Sequence, residues 1–170
     1  TYGLLRRVKL LDQTQPDIIF VMIGINDLIR GVRGVTLLAN QQEIIRHFKQ
    51  VHPHARIVVQ SILPHGGRDI RQRYLRSASP EQQEPIWVQR LAMIPNDRIR
   101  ELNRKLADIA TLEKVEYLDL HRHFVDEQGN LLEALSTDGL HLSQEGYRIW
   151  RSQLNVVRSA APKSPVGLIK

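Results

Sequence analysis

Three short apolar segments, separated by longer segments with helical periodicity, constrain the fold of this chain more than any other feature of its sequence. Residues 17–23, 56–61 and 115–120 are rich in strand formers and too short to cross a membrane. Strands that alternate with helices form parallel sheets, because each connection crosses back over one face of the sheet. The sequence therefore predicts an α/β fold, with three α/β/α layers around a doubly wound parallel sheet.

The segments around these strands predict where helices begin and which faces they bury. An amphipathic helix is expected over residues 2–12, and Thr36 is a suitable cap for a second helix. Asn96 is the expected cap of a strongly periodic helix, and Ser143 is the expected cap of the last one. The last helix is predicted to bury Tyr147, Trp150, Leu154 and Val157. The run 17–23 is almost continuously apolar, which predicts a strand buried on both faces.

The segment from His65 to Pro95 is polar and lacks a sustained period, apart from a short apolar helix at 85–91. Loops of this length in compact domains are often lids or binding loops. Because the segment follows the second predicted strand, it is expected to lie over the active face and to move. His65 and the two glycines behind it are expected to line the pocket.

Composition and charge limit the classes of function. With 170 residues and 42% hydrophobic content, the chain is predicted to form one domain over 1–160, followed by a mobile tail over 161–170. The lack of cysteine excludes disulfides, thiolate nucleophiles and thiolate metal sites. The net charge of +6 comes from scattered basic residues that are not interleaved with aromatics, which argues against nucleic acid as a partner. A weak attraction to an anionic lipid surface explains this charge as well.

The most informative polar motif is Asp138-Gly139-Leu140-His141, which precedes the last predicted helix. An aspartate three residues before a histidine lets the carboxylate reach one imidazole nitrogen while the other nitrogen faces outward. This arrangement fixes the tautomer of a general base and stabilises the imidazolium that it forms. The same spacing also occurs when an aspartate caps a helix beside a surface histidine.

A second polar motif, Gly24-Ile25-Asn26-Asp27, follows the first predicted strand. In open α/β sheets the chemistry lies beyond the carboxyl ends of the strands, so Asn26 is suitably located to donate its amide to a developing oxyanion. Asp27 is expected to hold the Asn26 loop through backbone hydrogen bonds. The structural alternative is that Asn26 and Asp27 simply cap the next segment.

Together the two motifs resemble those of the SGNH (GDSL-type) hydrolases, whose third and fifth sequence blocks are Gly-x-Asn-Asp and Asp-x-x-His. The resemblance covers nearly the whole chain in order and spacing, and implies a flavodoxin-like SGNH hydrolase fold. It implies a carboxylic ester hydrolase, either an esterase/lipase or an acetyl esterase, that acts on a small-molecule ester through a Ser-His-Asp triad. Asp138 and His141 then belong to the triad, Asn26 lies in the oxyanion hole, and Gly24 and Asp27 support the site. No cofactor or metal is implied.

The family's first block, Gly-Asp-Ser with the nucleophile, is not found in these residues, and the second-block glycine is also missing. We therefore expect that the chain is N-terminally incomplete, that the first strand lies upstream of Thr1, and that these 170 residues alone are inactive. The serines that are present are poorer candidates. Ser61 lacks a nucleophile-elbow context, and Ser143 resembles a helix cap.

Two other interpretations remain open from the sequence. His121 and His123 follow the third predicted strand together with Asp119, and with the Asp138 motif they have the ligand types of a metal site. The other interpretation is an inactive SGNH-fold module that binds acylated carbohydrate or lipid.

Overall fold

A parallel β-sheet of three strands forms the centre of the computed structural model, which describes residues 1–79 and 81–160. The strands are β1 (Ile18–Val21), β2 (Arg56–Gln60) and β3 (Glu116–Leu118), in the order β1-β2-β3. Ile19 lies opposite Ile57, and Val59 lies opposite Tyr117. The predicted parallel α/β sheet is therefore confirmed, with each strand shorter than its apolar segment.

Helices cover both faces of this sheet. Ile45 and Leu106, from the two longest helices, pack with Val59 on one face. On the other face, Trp150 of the last helix packs near Leu118 and donates a hydrogen bond from its indole N–H to Gln60 Oε1 at 2.7 Å. The helices are α1 (Tyr2–Leu5), α2 (Ile25–Ile29), α3 (Gly34–Val51), α4 (Ile70–Ser77), α5 (Ile86–Ala92), α6 (Asn96–Leu112) and α7 (Gln144–Ser159). Short 3-10 turns are formed by Val8–Leu11, Gly67–Asp69, His121–His123 and Glu133–Leu135.

The N-terminal segment differs from the single helix predicted over residues 2–12. It forms α1 and then a separate 3-10 turn over Val8–Leu11. The break allows Leu4, Leu5 and Val8 to pack in one cluster with Phe48 of α3, whereas Leu10 points into solvent. Packing on α3 therefore decides the backbone here, rather than the helical period of the sequence.

The expected burial of β1 on both faces is wrong, and so is the expected burial of the α7 face. Of the four residues of β1 only Val21 is fully buried, and Tyr147 of α7 is 54% exposed. Within the described residues β1 pairs with β2 alone, so its other edge carries no strand. A groove of about 550 Å³ runs there between Phe20 and the apolar and basic side chains of α7. Apolar side chains of β1 and α7 therefore remain partly exposed in the described residues.

The segment 65–95 was expected to be a mobile loop with one short helix at 85–91. That helix is present as α5, but the segment also forms α4 and contributes to the core. Ile70, Val88 and Leu91 are fully buried. Ile70 and Leu91 pack with Ile29 of α2 and Ile99 of α6 in the largest apolar cluster. Deleting this segment would therefore remove part of the core, and the prediction of a detachable lid is wrong.

None of the helices in the described residues combines the length and apolar character that crossing a membrane requires. The predicted C-terminal tail, 161–170, lies outside the described residues.

Candidate active site

The loop between the 3-10 turn Glu133–Leu135 and α7 brings Asp138 and His141 into direct contact. His141 Nδ1 lies 2.6 Å from Asp138 Oδ2. The other carboxylate oxygen, Oδ1, accepts hydrogen bonds from the backbone N–H groups of Leu140 at 2.9 Å and His141 at 2.8 Å. The aspartate is therefore held by its own loop, and it in turn fixes one nitrogen of the imidazole.

Local sequence explains why the loop adopts this shape. Gly139 has φ 89°, in the left-handed region, and a Cβ there would lie 2.6 Å from Ile70 Cδ1. The hydroxyl of Ser136 accepts from the Gly139 N–H at 2.7 Å and donates to the His141 carbonyl at 2.9 Å. At the far end, Ser143 accepts from the Gly146 N–H at 3.2 Å, which confirms it as the cap of α7.

Burial and hydrogen bonding act differently on the two side chains. The Asp138 side chain is 14% exposed, whereas that of His141 is 66% exposed. Burial raises the pKa of the Asp138 carboxyl, but the hydrogen bonds from the His141 ring and from the two backbone N–H groups outweigh burial and hold that pKa below its ordinary value. Asp138 is therefore ionised at neutral pH, and the exposed imidazole is oriented by a negative charge.

The second motif forms the start of α2, directly after β1. Gly24 precedes the helix with φ 138°, and a Cβ there would lie 2.6 Å from Ile62 Cδ1, so this position requires glycine. Asn26 is the second residue of the helix and is exposed, and no hydrogen bond from its side chain occurs in the part of the chain that the structure describes. An amide with free donors at the carboxyl end of a strand is available to a ligand.

Asp27 makes different contacts from those expected. Its buried carboxylate accepts a hydrogen bond from the Thr1 hydroxyl at 2.9 Å. The expectation that Asp27 holds the Asn26 loop through backbone hydrogen bonds is therefore not met. Instead, Asp27 holds the segment at Thr1 against α2.

Packing brings the two motifs to the same region of the fold. Ile25 and Leu140, which precede Asn26 and His141, both pack against the apolar cluster that contains Leu91 of α5. In addition, α2 contacts α5, and Trp87 of α5 contacts the His141 ring. Asn26 and the Asp138–His141 pair therefore flank the same short helix beyond the carboxyl ends of the strands.

Comparison with known proteins identifies the family. The model of the GDSL-like lipase/acylhydrolase family matches residues 1–149. The chain belongs to this family. The SGNH resemblance drawn from the sequence is thereby confirmed, as is the α/β SGNH hydrolase fold with a parallel sheet that it implied.

Individual relatives match this chain over parts of their length. The isoamyl acetate-hydrolyzing esterase of Saccharomyces cerevisiae is 43% identical over 49 residues, which are 29% of this chain and 21% of the yeast protein. An N-acylneuraminate cytidylyltransferase of Streptococcus agalactiae is 28% identical over 134 residues, which are 79% of this chain and 26% of that protein. The chain thus spans about a fifth to a quarter of the length of these curated relatives.

A solved structure extends the likeness to most of this chain. A Streptococcus pneumoniae protein, provisionally assigned as a platelet activating factor, matches with a TM-score of 0.69 and 28% identity. The match covers 83% of this chain and 59% of the pneumococcal one. The matched family and the yeast esterase are both hydrolases, so the comparisons favour an enzyme over the binding-module interpretation.

In this GDSL-like chain, two asparagines of α6 bind the backbone that follows β2. The sequence did not connect them with the site. Asn96 Nδ2 donates to the His65 carbonyl at 2.9 Å, and Asn96 Oδ1 accepts from the His65 N–H at 3.1 Å. Asn103 makes the same pair of bonds with Ile62, both at 2.8 Å. Asn96 is therefore not the cap of α6, because its amide is used inside the fold. The spacing of two asparagines seven residues apart on one helix face was the signal that could have revealed them.

His65 was expected to line the pocket but is 1% exposed. Its Nε2 lies 2.7 Å from the Ile94 carbonyl oxygen, and its Nδ1 accepts from the Gly67 N–H at 3.1 Å. These partners require a neutral ring with the proton on Nε2. Burial lowers the pKa of His65, and the hydrogen bond to Ile94 offsets this only in part. His65 is therefore a structural residue beneath the site.

The lowered pKa of His65 predicts acid sensitivity of the fold. An unfolded histidine has a pKa of about 6.5, so below that pH the unfolded chain binds the proton more readily than the native one. The contribution to stability is complete above this pH and is lost as the pH falls. We expect the free energy of unfolding to decrease from pH 7.5 to pH 5, and His65→Gln to reduce this dependence. Urea titrations at both pH values measure this free energy. The control is His54→Gln, at an exposed position. Equal pH dependence in the two variants would contradict the prediction.

The positions of the candidate metal ligands and of the candidate serines favour structural roles for these residues. In residues 1–79 and 81–160 there is no cluster of three or more histidine or acidic side chains that could hold a metal ion. His121 is buried, and its backbone N–H donates to Ser61 Oγ at 2.8 Å. Ser61 is itself fully buried, so it has a structural role, and Ser143 caps α7.

Proposed function

We propose that the chain carries the histidine, the aspartate and one oxyanion donor of a serine-dependent carboxylic ester hydrolase. The observation that carries this proposal is the 2.6 Å contact between His141 Nδ1 and Asp138 Oδ2, in a His141 side chain that is otherwise largely exposed. A carboxylate on Nδ1 leaves Nε2 as the basic nitrogen. The membership of the GDSL-like family favours ester hydrolysis over other uses of this pair.

In this mechanism a serine attacks the carbonyl carbon of the ester while His141 Nε2 removes its proton. The imidazolium, stabilised by Asp138, then gives the proton to the leaving alkoxide as the acyl-enzyme forms. Water, deprotonated by the same imidazole, then attacks the acyl carbonyl. The imidazolium returns the proton to the serine oxygen as the acyl–serine bond breaks and the carboxylic acid is released. The substrate is a small-molecule ester, and no step requires a metal or cofactor.

We further propose that the nucleophile lies upstream of Thr1, on a strand that pairs with the open edge of β1. Two contacts support this location. The groove between Phe20 and α7 exposes apolar surface that a strand beside β1 would bury. The Thr1 hydroxyl donates to Asp27, directly beside Asn26, so a preceding segment would enter the fold at the candidate site.

The oxyanion hole in this proposal includes Asn26 together with two backbone N–H groups from the upstream blocks. The exposed Asn26 amide has both donors available, since none of the described residues accepts from it. Donors placed in this way stabilise the charge that the carbonyl oxygen gains only when it is attacked.

Hydrolysis of p-nitrophenyl acetate tests the proposed function. The full-length protein should hydrolyse the ester, and turnover should fall in acid, because the general base must be unprotonated. A chelator should leave turnover unchanged, and residues 1–170 alone should be inactive. Inactivation by a chelator that added metal reverses, or equal activity of the 170-residue chain, would contradict the proposal.

A further inference from the structure

The imidazole of His141 has a second neighbour besides Asp138. The indole of Trp87 lies with its ring centroid 5.9 Å from that of His141, and the two ring planes are 81° apart. This is the edge-to-face geometry that aromatic rings prefer over a parallel sandwich. Trp87 comes from α5, far from the Asp138 loop in sequence, so two separate elements contact one imidazole.

Trp87 is itself held firmly from behind. Its ring makes a second edge-to-face contact with Tyr74 of α4, with centroids 5.5 Å apart and planes at 86°. Tyr74 is 6% exposed, and the neighbours of Trp87 on α5, Val88 and Leu91, are fully buried. Packing thus continues from the core through Tyr74 and Trp87 to His141, the most exposed of these rings.

A second restraint is needed because the bond to Asp138 fixes only one atom of the ring. The His141 side chain is 66% exposed, so solvent does not restrict its rotation. The imidazole, attached at Cγ and bonded at Nδ1, can still rock within the tolerance of that hydrogen bond, and this motion displaces Nε2, which lies away from both attachments. A small misplacement of a general base lowers turnover, because the proton must be transferred along one direction. A rigid ring against the side of the imidazole removes this freedom.

We propose that Trp87 is a positioning residue that fixes the plane of the His141 imidazole. The inference rests on the proposed function for its catalytic consequence, but the contact itself does not depend on activity. It also gives the segment 65–95 a role different from that of a lid: the segment supplies a fixed wall to the base. We expect the contact between the Trp87 and His141 rings to raise the population of the preferred imidazole orientation by roughly 2- to 13-fold.

Spectroscopy of the full-length protein tests the contact without substrate. NMR signals of the histidine Cε1–H groups are recorded in protein whose histidines are labelled at Cε1. The His141 signal is assigned by its loss in His141→Gln. We expect the ring current of the indole to displace this proton signal from its position in the unfolded protein. Trp87→Leu should abolish the displacement and increase the motion of the ring. Trp87→Phe should retain part of the displacement and part of the restraint on ring motion.

Val88→Ala is the matched control for general damage to α5. Val88 is buried beside Trp87 on the same helix, so its truncation lowers stability without removing the indole. Its His141 signal should match that of the wild type. An unchanged His141 signal in Trp87→Leu, or the same change in Val88→Ala, would overturn the proposal.

Kinetics with p-nitrophenyl acetate separate positioning from substrate binding. Trp87→Leu should lower kcat roughly 2- to 13-fold with little change in KM, and Trp87→Phe should restore part of the loss. A change confined to KM would make Trp87 a wall of the substrate pocket and would reject the positioning role. If the wild type has no esterase activity, the proposed function fails, and the ring motion of His141 alone decides whether Trp87 fixes the imidazole.

Discussion

His141→Ala is expected to abolish ester hydrolysis by the full-length protein, and Asp138→Asn to lower turnover by about 10⁴-fold. Without the imidazole nothing removes the proton of the attacking hydroxyl. The aspartate acts indirectly, since an asparagine amide facing Nδ1 favours the tautomer that carries its proton on Nε2. That tautomer cannot act as the base, although the ring remains close to its original position.

The same geometry predicts that Asp138→Asn keeps the fold. The backbone N–H groups of Leu140 and His141 both donate to Oδ1, and the asparagine side chain retains an oxygen that can accept them. Melting temperature and steady-state kinetics should therefore be measured on one preparation of each variant. His54→Ala, at an exposed position away from the motif, is the control for loss of an imidazole. Equal turnover in wild type and His141→Ala would reject the assignment of the base.

The sheet and the Asp138–His141 pair could be predicted from sequence because both depend on local patterns. Strand formers in short runs indicate β1, β2 and β3 directly, and the crossover rule then makes the sheet parallel. The two side chains of the motif lie three residues apart, so a single turn determines whether they meet. The 2.6 Å contact needs no information from distant parts of the chain.

Burial at the edge of the sheet could not be predicted in the same way. The apolar residues of β1 and of the α7 face that contains Tyr147 indicate how much surface these elements can bury. They do not indicate which partner covers that surface. Tyr147 and Phe20 both face the groove, and Tyr147 is 54% exposed. Sequence alone therefore overestimated the burial of β1 and α7.

The segment 65–95 was misjudged because its helices are too short to show a period. In α4 only Ile70 and Tyr74 are buried, and in α5 only Val88 and Leu91. Two apolar residues per helix do not distinguish a helix from an irregular loop. The contact between Trp87 and His141 joins two such segments, so it could be found only once their packing was known.

Asn26→Ala is expected to lower turnover by about 10²- to 10³-fold, or roughly 3 kcal/mol of activation free energy, with little change in KM. The substrate carbonyl is weakly polar until it is attacked, so a donor aimed at the oxyanion acts mainly in the transition state. The structure favours this role over helix capping. Gly24 is the N-cap of α2, and Asn26 is inside the helix with an exposed side chain.

The two roles of Asn26 differ in what they do to stability. Removing a capping side chain costs about 1 kcal/mol of folding free energy and leaves the chemistry of folded molecules intact. Loss of an exposed amide that contacts no described residue should leave the melting temperature unchanged while turnover falls. Asn26→Asp sharpens the test, because it keeps the shape but replaces the donors by a negative charge that repels the oxyanion. Arg30→Ala, exposed at the end of α2, is the control. A lowered melting temperature with near-normal turnover in Asn26→Ala would make the motif from Gly24 to Asp27 structural, and the proposed mechanism would then rest on Asp138 and His141 alone.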